Sequence, residues 1–183
     1  MSQFTDDVIP IVTEVMEMLR EQFRAQAAAQ GHKLTGRLSE SIEFEVSQEG
    51  NDVIGRMYAE DYSSFLEFGV RADRIPYTPG GERRGGVSLY IQGLISFWEH
   101  RGLSGREAVG AAFATASVHA REGMPSRASY QFSSTGERTG FIRTTVEQNL
   151  PDISATIERK YGAVLAISFA ANLGQYEHIK FAA

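Results

Sequence analysis

Few residues of this 183-residue chain have a type and spacing suited to covalent chemistry. The histidines are His32, His100, His119 and His178. Glu99-His100 and Glu177-His178 are adjacent pairs, whereas two metal ligands on one helix face need an i, i+4 spacing. His100 and His119 each follow an apolar helical run and read as helix-end or surface residues. Glu67 stands among aromatics in Phe65-Leu66-Glu67-Phe68, where burial could give an acid of raised pKa. The plainer reading is an outward-facing strand residue. There is no GxSxG elbow, P-loop or GxGxxG fingerprint. With no cysteine, neither a disulfide nor a thiolate metal site can form. These residues predict no enzyme, no cofactor and no metal site; a small hydrolase using Glu67 and a histidine is the catalytic alternative.

The arginines are more informative. Lysine occurs only at Lys33, Lys160 and Lys180, so nearly all positive charge is guanidinium. A planar guanidinium suits fixed ion pairs at interfaces because it grips a carboxylate in two places. Genomic base composition would produce the same bias. Arg71, Arg74, Arg83 and Arg84 cluster in one turn-rich stretch with Tyr77, and Arg127 and Arg138 lie in a second. Such residues could touch DNA phosphates. Asp73 and Glu82 dilute the first cluster, and a net charge of −5 with a pI near 5.4 excludes a general nucleic-acid coat. A small DNA-contacting accessory protein is thus one alternative. The other is an interaction protein whose loops order on assembly, with arginines opposite acidic partners setting register and specificity. An acidic surface would also keep passing DNA from sticking.

The elements that must carry these residues follow from hydrophobic spacing. An apolar fraction of 42% and a charged fraction of 22% fit one globular domain, residues 1–183. No run approaches the ~20 apolar residues that span a bilayer. The polar, acidic start is unlike a signal peptide and predicts a cytoplasmic protein. Val8, Val12, Val15, Leu19 and Phe23 predict an amphipathic helix from Thr5, its N-cap, to about Gln30, with Pro10 near the start and Gly31 as the stop. Ile42, Phe44 and Val46 alternate with Ser41, Glu43 and Glu45 as a half-buried strand. Glu49-Gly50-Asn51-Asp52 turns it into a second strand, Val53 to Tyr58. Asp61 to Phe68 reads as a short turn and strand closing over the hairpin.

Residues 70–140 read as an insertion: a mobile loop from Gly69 to Val87, a helical pair, and a second flexible loop from Met124 to Gly140. Ile91, Leu94, Ile95 and Trp98 mark the first helix, from Ser88 to His100. Ser104 and Glu107 predict a capping box for the second, which runs to Gly123. A final helix is expected from about Pro151 to Leu173, burying Ile153, Ile157, Tyr161, Val164, Leu165 and Ser168. Gly174 would stop it, and Tyr176 to Phe181 would add an edge strand. The fold class is therefore α+β, a small antiparallel sheet packed by a long N-terminal and a C-terminal helix, with an inserted helical pair and long loops.

Two segments carry a resemblance. Leu34-Thr35-Gly36-Arg37-Leu38-Ser39-Glu40-Ser41-Ile42 and Tyr58-Ala59-Glu60-Asp61-Tyr62-Ser63-Ser64-Phe65-Leu66-Glu67-Phe68-Gly69 resemble the TGxLxxSI and YAxxxEFG motifs of the head–tail connector and tail-completion family of long-tailed bacteriophages. The likeness continues more weakly through His119 to Gly123, Gly140-Phe141-Ile142-Arg143 and the last helix. The family's RPFLRPA-type motif stands here as Thr139 to Thr145 without its prolines, and the segment from Arg71 to Tyr130 is longer than in a minimal member. The resemblance implies a virion protein of the phage neck, assembled in the host bacterial cytoplasm. Copies would form a ring between head and tail, meeting adjoining neck, portal-side or tail-terminator proteins, with DNA passing through without sequence readout and no membrane contact. It implies interface residues at Arg71, Arg74, Arg83, Arg84, Arg127 and Arg138.

Overall fold

The computed structural model describes residues 3–32, 34–80 and 87–179. Helix α1 (Gln3–Ala29) is followed by a short helix α2 (Arg37–Ser41), a hairpin of β1 (Glu43–Glu49) and β2 (Asp52–Tyr58), and helix α3 (Ser63–Phe68). A 3₁₀ turn (Ala72–Arg74) leads to the helical pair α4 (Leu89–His100) and α5 (Gly105–Glu122). A second 3₁₀ segment (Arg127–Phe132) precedes α6 (Phe141–Ile179). This is the expected α+β arrangement, a two-stranded antiparallel sheet flanked by two long helices, with a helical pair inserted.

The strands pair from Glu43↔Tyr58 to Glu49↔Asp52, so Gly50 and Asn51 form a two-residue turn. The hairpin lies on α1, and α1 also packs along α6. The main core gathers Phe23 and Ala27 from α1, Leu38 from α2, Ile42, and Phe141 from the first residue of α6. Leu19, Met57 and Leu66 pack onto it. Phe23 and Phe141 meet edge to face with ring centroids 6.5 Å apart, a geometry that aligns a ring's positive edge with the partner's negative face.

Several sequence expectations are corrected. Thr5 lies inside α1, which begins at Gln3, and Pro10 is also internal. Asp61 to Phe68 ends in helix α3 and adds no strand: Phe65, Leu66 and Phe68 are spaced for a helical turn as well as for a strand, and the turn wins. Ser104 is the N-cap of α5, but its side chain makes no capping bond; its carbonyl accepts the Glu107 amide at 3.1 Å. The last helix starts ten residues before Pro151 and carries that proline inside it. Glu147, whose carbonyl loses its helical donor there, is exposed, so water can serve that carbonyl. Gly174 does not stop the helix, and residues 176 to 179 belong to it and not to a strand.

The two turn-rich stretches are tied together. Val70 and Met124 exchange both main-chain hydrogen bonds at 2.7 Å, an isolated antiparallel bridge. Gly69, at φ 70°, allows this: a β-carbon there would stand 2.6 Å from the Met124 carbonyl oxygen. The helical pair closes on small residues, since Ala108, Ala112 and Ala116 are fully buried at one-turn spacing. Trp98 Nε1 donates to Thr115 Oγ1 at 3.0 Å. Tyr90 and His119 share a 2.8 Å bond between the phenol oxygen and Nδ1. His119 is therefore an inward, paired residue and not a surface one, and burial lowers its pKa.

Candidate functional site

The two motif segments meet in space. Gly36 takes a left-handed backbone and starts the α2 turn, which places Leu38 and Ile42 in the core. Ser41 Oγ donates to the Leu38 carbonyl at 2.8 Å and accepts the Glu60 amide at 3.1 Å. Arg37 pairs with Glu60 at 2.7 Å. Arg24 of α1 donates to the carbonyls of Ser39 and Ile42, satisfying acceptors that the end of α2 leaves open. The first motif therefore positions the second.

Glu67 is neither an outward strand residue nor a free carboxylate. One oxygen accepts the Ile142 amide at 2.7 Å and the other the Arg143 amide at 3.3 Å. Its own carbonyl accepts the Gly140 amide at 2.9 Å. It thus caps the N-terminus of α6, where amides lack helical partners and the helix dipole favours negative charge. Phe141 and Thr145 are buried just behind it. On either side of this cap, Phe65 and Phe68 are 60% and 84% exposed, so none of the described residues covers them.

The same asymmetry runs along α6. Its covered side, toward α1, carries Phe141, Thr145 and the half-buried Asn149, with Lys160 paired to Glu14 of α1. Its apolar side does not face α1. Ile142, Val146, Leu150, Ile157 and Leu165 are all exposed, and their spacings of four, seven and eight place them on one stripe. Sequence reasoning found Ile157 and Leu165 but expected them to be buried; Ile153, Tyr161 and Val164 of the same expected stripe are half-buried.

The six arginines do not form one cluster. Arg71 is exposed and pairs with Asp73, two residues on, at 3.2 Å. Arg74 is exposed on the same turn, which packs on α5. Arg83 and Arg84 lie outside the described residues. Arg127 is exposed at the rim of a shallow hollow of about 520 Å³ lined with Arg121, Glu122, Pro125 and Tyr130. The Val70–Met124 bridge joins the two loops beside these residues. Arg138 sits apart, half-buried, donating to the Gln30 carbonyl at 2.5 Å.

Around Arg138 is a cleft of about 370 Å³ that sequence reasoning missed. It runs from the end of α1 past α2 and α3 to the end of α4 and the second 3₁₀ segment. Arg101 enters it between two rings, its guanidinium carbon 4.8 Å from the Phe97 centroid and 4.5 Å from that of Phe132. His32 stands in the wall, its ring centroid 6.3 Å from that of Phe141. Burial, with help from the Arg138 charge, lowers its pKa to about 4. Burial and then Arg101 lower the Arg138 pKa below the usual guanidinium value. Among the described residues no three His, Asp or Glu side chains gather to hold a metal ion, and no helix is long and apolar enough to cross a membrane.

No protein-family model, no curated protein and no solved structure matches this chain.

Proposed function

We propose that this chain is a structural subunit of a bacteriophage neck, copies of which form a ring that joins the DNA-filled head to the tail. The observation that carries the reading is the uncovered apolar stripe of α6. A helix that turns Ile142, Val146, Leu150, Ile157 and Leu165 to water is built to be covered by another polypeptide. The motif segments from Leu34 to Gly69 support the family, and their contacts give Leu38, Ser41, Ile42 and Glu67 structural tasks. Arg71, Arg74 and Arg127, all exposed, with Arg83 and Arg84, are the residues assigned to contacts with adjoining portal-side or tail-terminator proteins. The net negative charge suits a channel through which DNA moves without being held. No catalytic step is assigned. The carboxylate of Glu67 is engaged by two main-chain amides, so the hydrolase alternative gains nothing from the geometry.

The test is deletion of the gene from the phage that encodes it, with electron microscopy of the lysate. Filled heads beside complete, unattached tails are the expected result. Normal infectious virions would overturn the proposal. Salt-sensitive DNA binding by the isolated chain, with virion assembly intact, would favour the DNA-contacting alternative instead.

A further inference from the structure

Two guanidinium groups share the cleft at the end of α1, with no carboxylate among the described residues that line it. Its described lining includes His32, Leu38, Phe97, Arg101, Phe132 and Arg138 and no acidic residue. The side chain of Arg101 makes no hydrogen bond or ion pair among the described residues; only the Phe97 and Phe132 rings hold it. Those rings hold the guanidinium between them and leave its N–H groups free to donate. Arg138 keeps a buried Nε without an acceptor. Gln30 Oε1 and His32 Nε2, also buried without partners, lie on residues beside it. Placing two like charges together costs Coulomb energy that an anion between them would recover. His32 is neutral above its lowered pKa, so at neutral pH the positive charge of the cleft is that of the two guanidinium groups.

We infer that this cleft binds an acidic side chain of a partner polypeptide, flanked by apolar residues. The charge identifies the anion: a carboxylate can take paired N–H donors from a pre-oriented guanidinium, and such charge-assisted bonds are the strong ones. The walls identify its carrier. Leu34, Leu38, Leu66, Phe97 and Phe132 surround the arginines, so an occupant must bring apolar surface as well as charge. A nucleic-acid backbone is charged throughout and suits a basic track more than a small apolar hollow. The volume lies near the lower end for ligand pockets, about right for one glutamate and parts of two neighbours. This site lies apart from the α6 stripe and does not require ring formation.

The experiment is a titration of the full chain, followed by amide NMR, with two blocked tripeptides, leucine–glutamate–leucine and leucine–glutamine–leucine. They differ only in charge. The expected result is saturable shifts at Phe97, Arg101, Phe132 and Arg138 with the glutamate peptide, and binding about tenfold weaker with the glutamine peptide. Arg101→Gln should lower glutamate-peptide affinity by about the same factor while the amide spectrum away from the cleft stays unchanged. Because Arg138 also braces Gln30, Arg138→Lys is the second variant; it keeps the charge, loses the fork and should bind less tightly than the parent. Equal binding of the two peptides would overturn the inference, as would glutamate binding unaffected by Arg101→Gln. Inorganic phosphate or a single-stranded oligonucleotide displacing the glutamate peptide at equal concentration would overturn the assignment to a polypeptide.

Discussion

The two halves of α6 solve opposite problems. At its start the helix is held on one face, with Ile142 and Val146 exposed on the other: Phe141 is buried against Phe23, Thr145 donates to the Phe141 carbonyl at 2.7 Å, and Glu67 caps the first amides. Further along, beyond Pro151, Ile157 and Leu165 are exposed while Lys160 of the same turns reaches Glu14. One end is apolar where the described residues provide a lid, and the other is apolar where none of them does. Apolar character alone therefore cannot tell a core from a contact surface. The discriminating feature is whether the opposite face of the helix already has an internal partner.

The contrast can be broken most sharply at Phe141. Phe141→Ala should cost about 3–5 kcal/mol in urea unfolding, because the cavity would open in a closed core. A loss below ~1 kcal/mol would mean that the core is looser than its burial implies. Gly31→Ala tests the neighbouring joint. Gly31 has φ 80°, and a β-carbon there would collide with the Phe132 carbonyl and the Arg138 guanidinium. Left-handed backbone alone costs about 1–2 kcal/mol in a non-glycine residue, so the loss of stability should reach at least that figure.

The pH dependence sharpens the same end of the molecule. His32 titrates at about 4 when folded and near 6.5 when unfolded, so between those values only the unfolded chain takes up the proton. Its contribution is fully present above pH 6.5 and is lost as pH falls toward 4. With allowance for partial exposure this amounts to about 2 kcal/mol. Unfolding midpoints of the parent and His32→Gln should converge as pH is lowered across that window; parallel curves would refute the buried neutral imidazole. Glu67→Gln keeps an acceptor at the start of α6 but removes the charge, and about 0.3–1 kcal/mol should be lost. The smallest stability effect belongs to the other half of the helix: Ile157→Ser should stay within about 0.5 kcal/mol. The same variant should nonetheless fail to complement virion assembly, and full complementation would remove the contact role of the stripe.

Much of the scaffold was legible because its periods are clean. The α1 stripe, the hairpin turned at Gly50-Asn51 and the extent of α4 follow from local sequence; the structure adds that Ser88 Oγ accepts the Ile91 amide at 3.3 Å as its cap. Helix α3 was misread because four apolar residues in eight suit either period. The start of α6 was misread because Pro151 resembles a beginning, whereas its loss of a donor falls on the solvent side. The cleft at the end of α1 left no local signal. Arg101 and Arg138 are far apart in sequence, and the rings that clamp Arg101 come from Phe97 on α4 and Phe132 on the second 3₁₀ segment. Only Phe97, four residues before Arg101 on one helical face, hinted at half of that clamp.

The Val70–Met124 bridge has a consequence for how such a chain can change. Because those two residues are hydrogen-bonded neighbours, everything from Arg71 to Gly123 leaves and re-enters at one doorway. A genetic exchange at that doorway could shorten, replace or remove the α4–α5 excursion while the strands, α1 and α6 keep their connections. Such an exchange would also take away Phe97 and Arg101, so the module would travel with one wall of the cleft. Recombination there would trade binding preference between lineages and leave the supporting scaffold in place.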